Sequence, residues 1–169
     1  MDDLETFRRS KDDYFRTGHS PLTEEQRSVF RGLRYYPEAP ALIFDVIPEP
    51  FEDQEMVQLQ TSTGETQPYL RWARVALPIE DSMVSLTLFR STNDGELFVP
   101  FQDSNAGGMT YGAGRYVDAE EIEGGLVRID FNYASNPYCA YNDEWSCPLP
   151  PPENRLRVAI EAGEQTFDH

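Results

Sequence analysis

The chain has 169 residues, and its 30 acidic residues outnumber 14 basic ones, which gives a formal charge of −16 at neutral pH. This length predicts one domain, residues 1–169, large enough to bury a core without disulfides or metals. Such acidity disfavours nucleic acid and anionic membranes as partners, because the surface repels phosphate. No apolar run reaches the roughly eighteen residues of a membrane span, and the acidic N-terminus does not resemble a signal peptide. We therefore expect a soluble, cytoplasmic protein.

The basic residues are almost all arginine, since Lys11 is the one lysine. Acidic excess alone is typical of a well-solvated surface. Together with the near absence of lysine it also fits adaptation to high salt, because the long apolar stem of lysine becomes poorly soluble there. We favour the salt hypothesis, which rests on composition.

The first 35 residues contain two predicted helices. Apolar residues recur at helical spacing between Asp2 and Arg16, with acidic residues in the first turn, and this predicts an amphipathic helix that Gly18 ends. Thr23 and Gln26 have the spacing of a capping box, which predicts a second, short helix. Three apolar side chains of this second element should be buried: Val29, Phe30 and Leu33.

From Pro40 onward the apolar period becomes two, which is typical of strands. Thr63-Gly64 and Asn93-Asp94-Gly95 predict hairpin turns between them. We expect a mainly β (α+β) fold, in which an antiparallel β-barrel or sandwich of about eight short strands, within 40–169, carries the two helices of 1–35. The candidate strands are 41–47, 57–61, 69–77, 83–89, 97–101, 110–117, 126–131 and 156–160.

Residues 130–156 are too rich in proline for a helix and too interrupted for one strand, and they contain both cysteines and several aromatic residues. This composition predicts an ordered irregular loop, and such loops are usually functional. The pattern DFN-x-A-x-NP-x-CAY, followed by C-P-L-P-P, E-N-R-L and a closing A-G-E, resembles the prokaryotic family named domain of unknown function 1684. Ser20-Pro21-Leu22 and Gly114-Arg115-Tyr116 extend the resemblance. It implies a family and no activity.

Histidine occurs only at His19 and His169, which excludes a histidine-based triad in the β-domain and most histidine-rich metal sites. His19 adjoins Gly18, where a role in the loop or in capping is favoured over catalysis. Any acid–base chemistry would therefore depend on Asp, Glu, Tyr or Cys. We expect no metal and no other cofactor.

Cys139 and Cys147 lack the two further soft ligands that zinc would need. Asp143 and Glu144 should raise the pKa of Cys139, which argues against a nucleophile. A reduced, structural pair of thiols among aromatic residues is the favoured interpretation in a cytoplasmic protein. Glu153 and Asn154 are further structural candidates, because they follow the polyproline run and can anchor it.

Arg115 has two interpretations. It can form a structural ion pair with Asp103 or Asp118, or it can clamp the carboxylate or phosphate of a ligand. The surrounding glycines of 107–116 are better explained by hairpin geometry than by a phosphate-binding loop, because no Lys-Ser or Lys-Thr follows them. Asp130 and Asn132 likewise can either cap the long loop or face a ligand.

Two functions remain open. The first is a small-molecule binding protein, or an enzyme of unknown reaction, with a pocket at the mouth of the barrel and a ligand that can be anionic. The alternative is a non-catalytic module that binds a protein partner through the aromatic loop 130–156. We favour the first, because Asp, Asn and Arg orient small ligands well. The ligand-binding candidates are Tyr111, Arg115, Asp130, Asn132 and Tyr141.

Overall fold

A computed structural model describes residues 3–167. Asp2 and His169, which entered the sequence predictions, lie outside this range. Helix α1 spans Asp3–Phe15 and helix α2 spans Glu24–Ser28. The strands are β1 (Ile43–Val46), β2 (Glu49–Pro50), β3 (Met56–Gln60), β4 (Thr66–Ile79), β5 (Ser82–Ser91), β6 (Leu97–Phe101), β7 (Arg115–Glu121) and β8 (Val127–Asp130).

The capping box at the start of α2 is confirmed. The hydroxyl of Thr23 accepts the backbone N–H of Gln26 at 3.2 Å, and the side chain of Gln26 accepts the backbone N–H of Thr23 at 2.8 Å. The predicted burial of Val29 is wrong, since this side chain is 73% exposed. The reason is that α2 ends at Ser28, so the helical spacing used for the prediction stops before Val29.

The mainly β fold class is confirmed. The eight strands form one antiparallel sheet in the order β1-β8-β7-β6-β5-β4-β2, with β3 also paired to β4, and the sheet curls into a half-barrel. The predicted hairpin turns are present, and Gly64 and Gly95 both adopt positive φ there. Neither helix among the described residues has the length and apolar character needed to cross a bilayer.

Two strand predictions need correction. Residues 156–160 alternate like a strand but form none, and the adjoining Arg155 makes one isolated bridge to Gln102. The chain bends at residues 157–158, so only two backbone hydrogen bonds, from Leu156 to Gln102 and from Ser104 to Val158, join the segment to the residues after β6, and the carbonyl of Ile160 accepts from the guanidinium of Arg115 instead. The candidate 110–117 becomes a strand only at Arg115, since the glycine-rich residues before it form turns.

Side chains alternate across the sheet, so that one face holds the core and the other remains open. On β7, for example, Arg115, Val117 and Ala119 are buried, whereas the side chains of Tyr116 and Asp118 point to the opposite, outer face. The C-terminal segment closes the core, with Ile160 and Ala162 packed into it. The outer face is therefore available to form a site.

A second apolar cluster attaches α1 to the aromatic loop. Phe15 of α1 packs against Leu22 and Tyr141, and its ring centroid lies 4.9 Å from that of Tyr141. Phe7, about two helical turns earlier, packs edge-on against Tyr133 with the ring centroids 4.9 Å apart. These contacts fix α1 beside the loop, on the outer side of the sheet.

Candidate ligand-binding cleft

A cleft of about 1010 Å³ lies over the outer face of the sheet. Its floor consists of outward side chains of β6, β7 and β8, which include Phe98, Tyr116 and Asp118. Helix α1 forms one wall, and residues 133–148 of the aromatic loop form the other. The cleft thus combines elements that are far apart in sequence.

Aromatic rings line the floor and both walls. On the floor, the centroid of Phe98 lies 5.1 Å from that of Tyr69 in a stacked arrangement, and 4.7 Å from that of Tyr116 in an edge contact. On the loop wall, the ring of Trp145 packs edge-on against Tyr138 at 5.1 Å and remains 43% exposed. These rings offer π faces and edges to a ligand.

The two basic side chains that line the cleft are already engaged. The Nζ atom of Lys11 lies 2.8 Å from a carboxylate oxygen of the buried Glu164. The guanidinium of Arg128 donates two hydrogen bonds, of 2.7 and 2.9 Å, to the carboxylate of Asp45, which lowers the pKa of Asp45. Neither cation is free to pair with a ligand anion.

Asp118 differs from these groups. No hydrogen bond or ion pair joins its carboxylate to another residue in the range 3–167. Partial burial raises the pKa of Asp118, and the carboxylates of Glu96 and Asp94 raise it further. Three more carboxylates line the same cleft, those of Asp3, Glu120 and Asp130. The cleft therefore has negative potential and an acidic group without a partner.

The structure places Arg115 inside the core, with 1% of its surface exposed. The guanidinium donates to the backbone carbonyls of Ile160 at 2.8 Å and Glu164 at 3.0 Å, and also to that of Ala162. Its Nη2 atom lies 3.5 Å from the carboxylate of Asp103, which is the ion pair that the structural interpretation named. Arg115 thus lies on the core face, whereas Asp130 lies on the cleft face, and the two do not share a pocket.

Asp130 caps the short 3₁₀ helix that follows β8. Its carboxylate accepts the backbone N–H of Asn132 at 2.9 Å and the side-chain amide of the same residue at 2.9 Å. The amide of Asn132 is fully buried and also bonds both backbone groups of Ala39, at 2.7 and 3.0 Å. Asp130 lines the cleft, whereas Asn132 holds the chain before β1 against the loop.

Tyr141 is buried, and its hydroxyl donates to the carboxylate of Glu164. Tyr111 is partly buried and lies with its hydroxyl 3.7 Å from the Sγ atom of Cys139. Neither tyrosine lines the cleft. Of the five predicted ligand-binding residues, the structure brings Asp130 alone to this cleft.

The structural candidates after the polyproline run make specific contacts. The buried side chain of Asn154 bonds both backbone groups of Thr87, at 2.8 and 2.9 Å, and the carbonyl of Pro100 at 2.9 Å. Glu153 accepts two hydrogen bonds from Arg71, at 3.0 and 2.9 Å. This pair of neighbours therefore ties the loop to β4, β5 and β6.

Sequence reasoning missed most of the cleft. Phe98, Tyr116 and Asp118 carried a usable signal, because each alternates with apolar residues on its strand and so had to face away from the core. Phe7 and Trp145 carried no such signal, since their place in the cleft depends on where α1 and the loop pack.

The sequence profile of a family described as a protein of unknown function (DUF1684) matches residues 28–165. The chain belongs to this family. A similar solved structure, determined in solution by NMR, is that of an uncharacterized protein of Haloarcula marismortui. It shares 36% sequence identity, covers 96% of this chain and 92% of its own, and superposes with a TM-score of 0.73. No protein with a curated description matches the sequence.

Proposed function

We propose that this DUF1684 protein binds a small molecule in the cleft and that the ligand carries an organic cation, such as a substituted ammonium group. The observation that carries the proposal is the position of Asp118, whose carboxylate has no partner in the described part of the chain and lies on the floor of an aromatic-lined cleft. Pockets of this volume are typical of small-molecule sites.

Two physical effects favour a cation there. A substituted ammonium group gains about 0.5 to 2 kcal/mol against an aromatic face, and its partly dehydrated charge is attracted to a carboxylate. The rings of Phe98, Tyr116 and Trp145 and the carboxylate of Asp118 line one cleft and supply both kinds of partner. The proposal assigns binding and no reaction.

The anionic ligand considered from the sequence depended on Arg115 as a clamp. Its guanidinium is engaged by three carbonyls and Asp103 in the core, and Lys11 and Arg128 are engaged by Glu164 and Asp45. A ligand carboxylate or phosphate in the cleft would approach four carboxylates without a free cation to balance them. We therefore propose a cationic ligand in place of the anionic ligand that the sequence suggested.

The test uses choline and its neutral carbon isostere, 3,3-dimethylbutan-1-ol, with binding measured by isothermal titration calorimetry at low salt. Choline should bind and the isostere should bind more weakly, because only choline carries the charge. Asp118→Asn should weaken choline binding about twofold to fivefold, the scale of a solvent-accessible ion pair. Asp53→Asn, which removes an exposed carboxylate outside the cleft, is the matched control and should leave binding unchanged.

Equal binding of choline and its isostere, or tighter binding of acetate or phosphate, would contradict the cationic ligand. Absence of binding by all four probes, together with capture of a partner protein that Trp145→Ala abolishes, would favour the interaction module instead. The exposed part of the Trp145 ring supports that second candidate.

We further propose a cytoplasmic location and adaptation to high salt, both from composition. A reducing compartment would keep Cys139 and Cys147 as thiols.

A further inference from the structure

The chain contains two cysteines, and the fold places them side by side in the aromatic loop. The Sγ atom of Cys147 accepts the backbone N–H of Cys139 at 3.3 Å. Each residue is 7% exposed, and Cys147 lines the cleft. The two residues are therefore close to each other, and Cys147 lies at a wall of the cleft with Cys139 adjoining it.

The surroundings of the pair are polar, unlike those of an inert buried thiol. The hydroxyl of Tyr111 lies 3.7 Å from the Sγ atom of Cys139, and the hydroxyl of Ser62 accepts the backbone N–H of Cys147 at 3.2 Å. A hydrogen bond from the thiol of Cys147, aided by the hydroxyls of Tyr111 and Ser62, lowers the pKa of Cys139 to about 6. Sharing that proton raises the pKa of Cys147.

This environment corrects the expectation that Asp143 and Glu144 would raise the pKa of Cys139. Sequence proximity suggested those carboxylates, but the groups that act on the thiol of Cys139 are the thiol of Cys147 and the hydroxyl of Tyr111. A thiolate held by donors is a better nucleophile at neutral pH than an ordinary thiol.

We propose that Cys139 and Cys147 form a thiol–disulfide exchange site whose substrate is a low-molecular-weight disulfide that enters through the cleft. The thiolate of the pair attacks one sulfur of the small disulfide, so that a mixed disulfide forms and the other half leaves as a thiolate. The second thiol then attacks the protein sulfur, loses its proton and releases the second half. Two electrons pass from the pair to the substrate, and the products are a Cys139–Cys147 disulfide and two small thiols.

This proposal does not depend on the cationic ligand, since its substrate need carry no charge. The two thiols are eight positions apart, so the disulfide closes a short loop that carries Trp145 and part of the cleft wall. The same steps in reverse, with a small thiol as the reductant, would restore the pair.

The test treats the reduced, folded protein with hydroxyethyl disulfide at neutral pH and follows the intact mass. The wild type should lose about 2 Da and both titratable thiols, without a lasting adduct. Cys147→Ser should stop at a stable mixed disulfide on Cys139, because the resolving thiol is missing, and Cys139→Ser should react more slowly, because it lacks the thiolate of lowered pKa. Dithiothreitol should return the wild type to two thiols.

The structural interpretation predicts a different result. If the folded wild type does not react, and both thiols react only after unfolding in urea, the pair is inert and the proposal is wrong. Two lasting adducts per folded chain would also overturn it, since the thiols would then react separately. Both outcomes are read from the wild type, so neither depends on the folding of a variant.

Discussion

The protein interior and the cleft both contain charged side chains, but these side chains differ in their hydrogen-bonding and ion-pair partners. Inside, the guanidinium of Arg115 has three carbonyls and Asp103 as partners, and the carboxylate of Glu164 accepts from Lys11, Tyr141 and the backbone of Asn136. In the cleft, Asp118 has no such partner among the described residues. A fully partnered charge stabilises a fold, whereas a charge without a partner is available to a ligand.

This difference explains where the recognisable motifs lie. The Arg of Gly-Arg-Tyr, the Glu of Ala-Gly-Glu and the Asn of Glu-Asn-Arg-Leu are all buried, and each bonds backbone from another part of the chain. Their shared role is to hold irregular segments that have few ladder hydrogen bonds of their own. Of these three motifs, Gly-Arg-Tyr also reaches the cleft, through Tyr116 on the opposite face of β7.

The largest expected effect is that of Arg115→Ala. The change leaves Asp103 and three carbonyls buried without their donor, so the free energy of unfolding should fall by about 3 to 5 kcal/mol. Urea denaturation measures this. The matched control is Arg157→Ala at an exposed position, which should change stability by no more than about 0.5 kcal/mol. If Arg115→Ala lowers the free energy of unfolding by less than about 1 kcal/mol, the hydrogen bonds of Arg115 are not what holds the C-terminal segment in place.

An intermediate effect is expected for Glu164→Gln. The single amide oxygen can still accept from Asn136 if the amide nitrogen faces the hydroxyl of Tyr141, but the charge that pairs with Lys11 is lost, and charged hydrogen bonds contribute about 1.5 to 3 kcal/mol. The same denaturation experiment should show a loss in that range. Glu161→Gln, three residues earlier and exposed, provides the control and should have little effect. Equal losses of stability for the two variants would show that the buried charge of Glu164 contributes no more to stability than an exposed charge does.

The smallest effect on stability is expected for Asp118→Asn in the cleft, and this substitution should stabilise the protein. The pKa of Asp118 is raised in the folded state, so its charged form opposes folding at neutral pH, and this cost disappears as pH falls through the raised pKa. Asp118→Asn should therefore stabilise the protein, by at most about 0.5 kcal/mol because the carboxylate is open to solvent.

Measurements at different salt concentrations test the difference between the Asp118 and Arg115 variants further. In molar KCl the Debye length shrinks to about 3 Å, so the part of the gain from Asp118→Asn that is due to Glu96 and Asp94 should disappear, whereas the part due to burial and the loss from Arg115→Ala should remain. If the acidity is a salt adaptation, the melting temperature of the wild type should rise across the same series. A flat or falling melting temperature would remove that hypothesis, and a gain that does not decrease in molar KCl would show that Glu96 and Asp94 do not contribute to it.

The correct predictions about the fold came from local patterns in the sequence. The capping box at Thr23, the turns at Gly64 and Gly95 and the period-two strands from Pro40 onward each depend on residues close in sequence. The segment 156–160 has the same alternation and still is not a strand, because the chain bends at residues 157–158 and the carbonyl of Ile160 accepts from Arg115 rather than from a neighbouring strand. The apolar period of a sequence predicts which side chains are buried. It does not predict which groups form hydrogen bonds with the backbone.

By itself, the sequence determined the family, the mainly β class, the capping of α2 and the net negative charge. Only the tertiary structure decided that Arg115 is interior, that Asp118 has no partner within residues 3–167, and that Cys139 and Cys147 adjoin each other beside a cleft. The reason is that a charged side chain is expected to be exposed until its partners are known. The three carbonyls that accept from Arg115 lie 45 to 49 positions further along the chain.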